Sequence, residues 1–355
     1  ADRGLGKGKT GIAAGVGAGA GFNRVAVACD GIGRLGRRII PSLSPQTFRS
    51  SMSFNFPLVW RRPVVLGAAV PSAGKVTHRF LAADTAGGRV AVAAAEGKVV
   101  WETICERPRD CWAMPDGNYF FCHAGGVMEK LDDGRTLWEY IAEPGSEVSS
   151  CQPLPNGRFL VAENGPCRLV EVDTFGNGGK EILLAPPHPA LGVEVQDRLR
   201  GARRLADGGY LVCRKGEQVV EELSPEGKSL RRIPVKGDVH MAVRLPDGNL
   251  LVALGAGRKL QELDAELNVV WEIGENDVPG NPLRVVSGFQ RLPNGNTVVC
   301  NDLSPDHLGR QPQVFEITRE KKLVWEFSDH VNFDAINQIQ VLAEPGDGAK
   351  GPVWR

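Results

Sequence analysis

The feature that most constrains the fold is a turn that recurs along the chain. Five segments place an Asp-Gly or Asn-Gly turn (Gly-Gly follows in one of them) before a short apolar run: MPDGNYFF at 114–121, LPNGRFLV at 154–161, LADGGYLV at 205–212, LPDGNLLV at 245–252 and LPNGNTVV at 292–299. The turn glycines at 117, 157, 208, 248 and 295 are 40, 51, 40 and 47 residues apart. Repeats of this length are typical of propellers, solenoids and similar arrays.

Each repeat is predicted to contain four short strands. Asp-Gly or Asn-Gly between two apolar runs is a strong local signal for a β-hairpin. A second hairpin follows in each unit, as in GVMEKLDDGRTLWEYI at 126–141. Gly and Pro interrupt the sequence too often for long helices. Four strands per repeat therefore predict the blades of an all-β propeller.

Complete and partial repeats together predict the number of blades. Segment 80–104 contains three strands but lacks the first strand of a unit, whereas INQIQVLA at 336–343 resembles a first strand alone. We predict a six-bladed β-propeller of four-stranded antiparallel blades over residues 77–345, closed by the C-terminal strand pairing with N-terminal strands. Such closure removes free sheet edges. The five complete units span 109–142, 149–184, 199–235, 239–274 and 286–328.

Four tryptophans occur at the same place in their repeats, on the predicted fourth strand. A ring of aromatic ligand contacts would be one interpretation. We favour packing between neighbouring blades, because the residues recur with the repeat and large aromatic side chains bury much apolar area. These residues are Trp101, Trp138, Trp271 and Trp325.

The segments outside the repeat are predicted to be extensions. Residues 1–76 are expected to form a poorly structured, low-complexity or targeting-like extension, and residues 346–355 a C-terminal tail. LVWRRPVVLGAAVPSA at 58–73 is similar to a secretory signal with a cleavage region, which slightly favours a secreted or periplasmic protein, although organellar targeting also fits the composition. VAVACDGIGRLGR at 25–37 looks like a dinucleotide fingerprint, but Pro41 interrupts the helix that this motif requires.

Composition argues against several classes of partner. The chain has 42 basic and 42 acidic residues, hence no net charge to favour nucleic acid. It contains no run of 18 apolar residues, so we predict no membrane span. The eight cysteines form no metal-ligand pattern, and most are expected to be buried thiols, although a disulfide such as Cys105–Cys111 remains open. We predict no cofactor and no metal.

The first strands of the blades are predicted to line a central channel. Aligned on the residue before each turn, two positions on these strands carry mostly polar side chains, which is unusual for an interior. A polar funnel of this kind suits a small ligand, although a water-filled channel would share the pattern. The candidate ligand contacts are Arg109, Gln152, Arg200, Arg203, His240, Gln290, Asn337 and Gln340.

Two loops that break the regularity of the repeat supply further candidates. They are ENGPCR at 163–168, with Glu163 and Arg168, and NDLSPDHLGRQ at 301–311, with Asn301 and Asp302. Aspartate and histidine in the second loop could bind a metal, but the spacing is not that of a defined site. We therefore interpret both loops as polar contact regions.

The units AEGKVVWE, DDGRTLWE and LPNGNTVVCND resemble bacterial β-propeller repeat proteins of the pyrroloquinoline-quinone-like and arylsulfotransferase-like type. Quinoprotein dehydrogenases have eight blades and adjacent cysteines, neither of which is predicted here. Arylsulfotransferases have six blades and a sulfuryl-accepting histidine in a phrase that HMAVRLPDGN at 240–249 matches. The resemblance implies His240 as nucleophile and Arg244 as an anion contact.

Two functions follow as predictions. The first is a non-catalytic β-propeller binding module, for a small polar ligand in the central funnel or for a protein partner on one face. The alternative is a propeller enzyme of the arylsulfotransferase-like or lyase-like type that uses His240 as nucleophile or base.

Overall fold

The computed structural model describes residues 77–185, 198–303, 305–342 and 355. They belong to one compact unit, Pro63–Arg355. The described ranges contain 24 β-strands and no helix. The predictions for residues 1–76 and for 346–354 lie outside these ranges.

The strands form six antiparallel sheets of four, which are the blades of a propeller. Blade I contains β24 (Ile336–Leu342), β1 (Arg79–Asp84), β2 (Arg89–Ala93) and β3 (Val99–Ile104). Blade II contains β4 (Cys111–Ala113), β5 (Tyr119–His123), β6 (Gly126–Lys130) and β7 (Thr136–Ile141). Blade III contains β8 (Val148–Pro153), β9 (Phe159–Glu163), β10 (Arg168–Val172) and β11 (Gly178–Leu183).

The other three blades repeat this order. Blade IV contains β12 (Gly201–Arg204), β13 (Tyr210–Arg214), β14 (Val219–Leu223) and β15 (Ser229–Pro234). Blade V contains β16 (Val239–Arg244), β17 (Leu250–Leu254), β18 (Lys259–Leu263) and β19 (Val269–Ile273). Blade VI contains β20 (Val285–Arg291), β21 (Thr297–Asp302), β22 (Val314–Ile317) and β23 (Leu323–Phe327).

The predicted closure is confirmed. Strand β24 pairs antiparallel with β1, and Leu81 lies opposite Gln340 in this register. The blade that completes the ring thus joins strands from both ends of the repeat region. The innermost strands contact one another in chain order around the axis, and β24 lies between β20 and β4.

The recurring turn sequence is explained by its hydrogen bonds. Gly248 has φ of 89°, a left-handed conformation that favours glycine. The next residue, Asn249, donates its backbone N–H to Oδ1 of Asp247 over 3.0 Å and its Nδ2 to Oε1 of Glu262 over 2.9 Å. The same asparagine-to-glutamate bond joins Asn118 to Glu129 and Asn296 to Glu316. The motif therefore ties each such turn to the third strand of its own blade.

The fourth-strand tryptophans pack between blades, as predicted. Trp138 of blade II lies with its ring centroid 4.5 Å from that of Phe159 in blade III. The ring centroids of Trp101 in blade I and Tyr119 in blade II are 4.2 Å apart. Edge-to-face and tilted contacts of this kind add to the energy of apolar burial.

The cysteines of the described ranges are free thiols, so the open Cys105–Cys111 disulfide is not formed. All of them except the half-buried Cys105 are buried. Burial raises the pKa of Cys111 and Cys213 to about 12, which leaves both thiols protonated and unreactive at neutral pH.

Candidate functional site

The central channel is lined by the innermost strands of the six blades. All six run towards the same end of the channel, because five of them lead directly into the recurring turns and β24 is aligned with them. Two sets of side chains are therefore stacked along the axis. The polar ring, far from the turns, consists of Arg109, Ser149, Arg200, His240, Ser287 and Asn337. The second level, near the turns, consists of Trp112, Gln152, Arg203, Val243, Gln290 and Gln340.

A chain of contacts crosses the polar ring from one blade to the opposite one. Arg200 precedes blade IV, and its Nη2 lies 3.4 Å from Oδ1 of Asn337 in blade I. Asn337 in turn directs its Nδ2 to Oδ2 of Asp302 over 3.3 Å. Blades I and IV are three steps apart in the ring of six, so Arg200 extends across the channel axis.

Arg200 is a buried cation with little direct neutralisation. It is 7% exposed, and within the described ranges the one hydrogen bond of its guanidinium is the long contact to the neutral Asn337 amide. Burial and the positive charge of Arg109 lower the pKa of Arg200 to about 9, and the negative charges of Asp302 and Glu147 offset this lowering only in part. Arg109 itself donates two hydrogen bonds to Oε1 of Glu147, at 2.7 and 3.2 Å. Within the described ranges the two arginines of the ring thus differ: Arg109 has a carboxylate at hydrogen-bond distance, and Arg200 does not.

His240 lies on the same ring and pairs with a carboxylate two residues away. Its Nε2 is 3.2 Å from Oδ2 of Asp238. Burial and then the charge of Arg200 lower the pKa of His240 to about 4, so the imidazole is neutral at pH 7. Nδ1 of His240 is buried and has no partner in the described part of the chain. Gly255 makes this arrangement possible, because a Cβ there would clash with Nε2 of His240 and with Asp238.

The glutamines of the second level join neighbouring blades. Oε1 of Gln152 accepts a hydrogen bond from the backbone N–H of Arg204 over 2.7 Å. Gln290 accepts in the same way from Val341 over 2.7 Å, and Gln340 from Ala113 over 2.8 Å. Each bond links a glutamine of one blade to the innermost strand of the next. The three glutamines that were predicted as ligand contacts therefore have a structural role, because their amide oxygens join neighbouring blades.

Arg203 belongs to a buried ion pair and also contributes to the wall of a cavity near the turns. Its Nη1 lies 2.8 Å from Oδ2 of Asp110, and both residues are almost fully buried. The same nitrogen also lies 2.8 Å from Oγ of Ser150. This arrangement places a compensated charge beneath the polar ring.

Arg244 lies at the turn end of β16, whereas His240 lies near its start. Its guanidinium forms an ion pair with Glu222 and donates to the carbonyl oxygen of Gly248 over 2.9 Å. Arg244 lines a cavity of about 840 Å³ together with Trp112, Gln152, Arg203 and Arg355. The structure thus assigns the two residues of the sulfotransferase-like phrase to different levels of the channel.

The four loop candidates lie at strand ends. Glu163 ends β9 and Arg168 begins β10, where they face each other in register, and Nε of Arg168 donates to Oε2 of Glu163 over 2.9 Å. Asn301 and Asp302 are the last residues of β21. Interpreting these residues as loop residues was wrong, because the strand pairing extends further than the turn signals indicated. Of these four residues, Asp302 contacts the polar ring within the described ranges, by accepting from Nδ2 of Asn337.

Sequence reasoning missed three residues that shape the site: Glu147, Asp238 and Gly255. Asp238 stands two positions before His240, and this Asp-x-His spacing was an available signal, because alternate residues of a strand share a face. Glu147 and Gly255 carried no comparable signal. Glu147 acts on Arg109, which is 38 positions away in sequence, and Gly255 makes room for His240, which is 15 positions away.

Within the described ranges, no group of three or more His, Cys, Asp or Glu side chains is placed to hold a metal ion. The same ranges contain no helix that is long and apolar enough to cross a membrane.

The fold and the channel define a six-bladed β-propeller, and solved structures share this architecture. A protein of unknown function from Bacteroides caccae is 27% identical, with a TM-score of 0.66 over 74% of this chain and 98% of that one. A catalytically inactive virginiamycin B lyase from Staphylococcus aureus, solved with quinupristin, is 12% identical, with a TM-score of 0.50 over 73% of this chain and 86% of that one. The second likeness concerns the fold alone. Comparison with protein families and with curated proteins yields no match.

Proposed function

We propose that this chain is a propeller binding module that holds a small ligand with an anionic group at the polar ring. The observation that carries the proposal is the position of Arg200, a buried guanidinium on the channel axis whose hydrogen bond to Asn337 is long. Burying a charge without a close partner is unfavourable. A carboxylate, sulfate or phosphate group on the axis would supply that partner.

The rest of the ring supports a ligand of this charge. Arg200 and Lys215 both act on His240 through their positive charge, and both lower its pKa. Asp238 acts on the same imidazole in the opposite direction, so the attraction for an anion comes from Arg200 at close range. Oγ of Ser287 is buried without a partner in the described ranges and is a further hydrogen-bond donor. Concave sites with a few convergent polar groups are the usual places for small ligands.

The proposal is tested by thermal unfolding with sulfate, phosphate and citrate as probes, at an ionic strength held constant with sodium chloride. We expect a saturable rise of the unfolding midpoint in the natural chain and its loss in Arg200→Gln. Arg231→Gln is the matched control, because Arg231 is an exposed arginine on the outer strand β15. An equal rise in Arg200→Gln, or no rise with any probe, would contradict the proposal.

The contact between His240 and Asp238 favours a second candidate, in which His240 acts as nucleophile or base. A carboxylate that orients a neutral imidazole is the arrangement that activates such a group. For sulfuryl transfer, a histidine nitrogen would bond to sulfur while the phenolate leaves, and an acceptor phenol would then remove the sulfuryl group. Nitrophenol release from p-nitrophenyl sulfate with added phenol tests this. Turnover that His240→Ala abolishes would support it, and absence of turnover in the natural chain would exclude this reaction.

A further inference from the structure

The second candidate site lies at the other end of the channel, where the side chain of Arg355 is fully buried. Its guanidinium carbon lies 3.8 Å from the centroid of the Trp112 ring. Nη1 donates to the carbonyl oxygen of Ile339 over 3.3 Å, and Nη2 donates to the carbonyl oxygen of Cys111. Nη1 is also 3.7 Å from Oδ1 of Asp110.

This set of contacts matches the chemistry of a guanidinium group. An aromatic face stabilises the delocalised cation, and acceptors around its edge satisfy the planar N–H donors. The carboxylate of Asp110 adds negative charge on one side. A lysine ammonium would also be attracted by the negative charge of Asp110. It would not match the flat site, because its three N–H donors are arranged tetrahedrally and not in one plane.

The cage is held together by contacts that do not involve Arg355. Trp112 donates its indole N–H to the carbonyl oxygen of Cys151 over 2.7 Å, which fixes the ring. Asp110 accepts from the backbone N–H groups of Cys111 and Cys151, at 3.1 and 3.3 Å, and from Oγ of Ser150 at 3.1 Å. The two carbonyl acceptors belong to the innermost strands β4 and β24. The site is therefore organised by the propeller itself.

Arg355, although buried, borders a cavity, and its guanidinium is imperfectly satisfied. Trp112 and Arg355 both line the cavity of about 840 Å³ near the turns, so a ligand that enters it meets the guanidinium site. Nε of Arg355 is buried and has no partner in the described ranges. Arg203 also shares the Asp110 carboxylate, which brings two like charges to one counterion. Both features weaken the contact of the Arg355 side chain, whereas its backbone is held by Nε of Arg203, which donates to the carbonyl oxygen of Arg355 over 2.6 Å.

We propose that this cage is a guanidinium-binding site, that Arg355 occupies it from within the chain, and that a ligand carrying an arginine side chain competes for it. The inference does not depend on the anion site at the polar ring, since the two sites lie at different levels and prefer opposite charges. An arginine-bearing peptide is the chemical class that fits, because the cavity beside the cage has room for the remainder of such a ligand.

The test is calorimetric titration of the natural chain and of Arg355→Ala with Nα-acetyl-arginine amide. We expect Arg355→Ala to bind at least about tenfold more tightly, since it removes the competitor. Nα-acetyl-lysine amide should bind about tenfold more weakly, and Trp112→Leu in the Arg355→Ala background should lose about tenfold in affinity. No binding by folded Arg355→Ala, equal binding of the lysine compound, or an unchanged affinity in the double variant would overturn the proposal.

A measurement on the natural chain keeps the proposal testable if Arg355→Ala fails to fold. The Hε proton of an arginine stacked on tryptophan is shifted upfield by the ring current. We expect one such Nε–Hε signal in the nitrogen–proton NMR correlation spectrum, absent from Arg355→Lys and moved by added Nα-acetyl-arginine amide. Absence of an upfield arginine signal, or a signal that ignores the added compound, would overturn it.

Discussion

Nη2 of Arg200 lies 3.4 Å from Oδ1 of Asn337 on the opposite side of the channel. This contact spans the polar end of the channel. The cation that makes it has no close carboxylate partner in the described ranges. A buried group that does not stabilise the fold is a common feature of functional sites, where binding and stability compete. The contrast with Arg203, whose Nη1 lies 2.8 Å from Asp110, makes this relationship testable.

Arg200→Met is expected to raise the free energy of unfolding by about 1–2 kcal/mol, because it replaces a poorly compensated buried charge with an apolar side chain. Arg203→Met is the matched variant and should lower it by about 3 kcal/mol, because it removes the closer of the two cations that share the buried Asp110 carboxylate. Urea unfolding at pH 7.5 measures both. A loss of stability in Arg200→Met as large as that in Arg203→Met would mean that Arg200 has a structural role.

The lowered pKa of His240 predicts a pH dependence of stability. Its pKa is about 4 in the folded chain, below the ordinary value of 6.5, so the unfolded chain binds the proton more readily. Stability is therefore full above pH 6.5 and falls as the pH decreases towards 4. Between pH 7.5 and pH 5.0 this residue should account for a loss of about 2 kcal/mol.

The contribution of His240 to this loss of stability is isolated by comparing His240→Gln with the natural chain at the two pH values. The variant should lose less stability on acidification, by the amount assigned to His240. His123 and His330 also have pKa values lowered by burial, and both remain in the variant as a common background. Equal losses in the two proteins would show that His240 is not protonated on unfolding in this range.

Gly255→Ala is expected to displace His240, because a Cβ at this position would clash with Nε2 of the imidazole. Overpacking of this kind reduces stability by about 1–3 kcal/mol. Gly178→Ala is the control, since the nearest atom to its added Cβ would be 3.9 Å away. Urea unfolding should separate the two variants, and equal stability would show that the channel accommodates the methyl group.

Gln152→Leu should weaken the contact between blades III and IV. It removes the acceptor that holds the backbone N–H of Arg204 at 2.7 Å, and an N–H left without a partner reduces stability by about 1–2 kcal/mol. Gln152→Glu keeps an acceptor oxygen of the same reach and should retain most of the stability. Thermal and urea unfolding of both variants provide the measurement. Equal losses would mean that packing rather than this hydrogen bond matters.

Much of the architecture could be predicted from the sequence, because the information is local. The turn residue Asn249 bonds with Asp247 and with Glu262 on a nearby strand, so the pattern is visible within one repeat. The candidate channel residues Arg200, His240 and Asn337 were likewise found by their position relative to the turns. The mutual contacts of those residues could not be predicted, because they join blades that are far apart in the chain.

The sequence by itself determined the number of blades, the four-stranded unit and the closure of the ring, since turn chemistry and strand alternation act over a few residues. Only the tertiary structure decided which polar side chains remain available to a ligand. Gln152 and Arg203 are taken up by the next blade and by Asp110, whereas Arg200 is left with a long contact to Asn337. The physical reason is that charge compensation and hydrogen bonding in the channel depend on distances between blades, which no single repeat encodes.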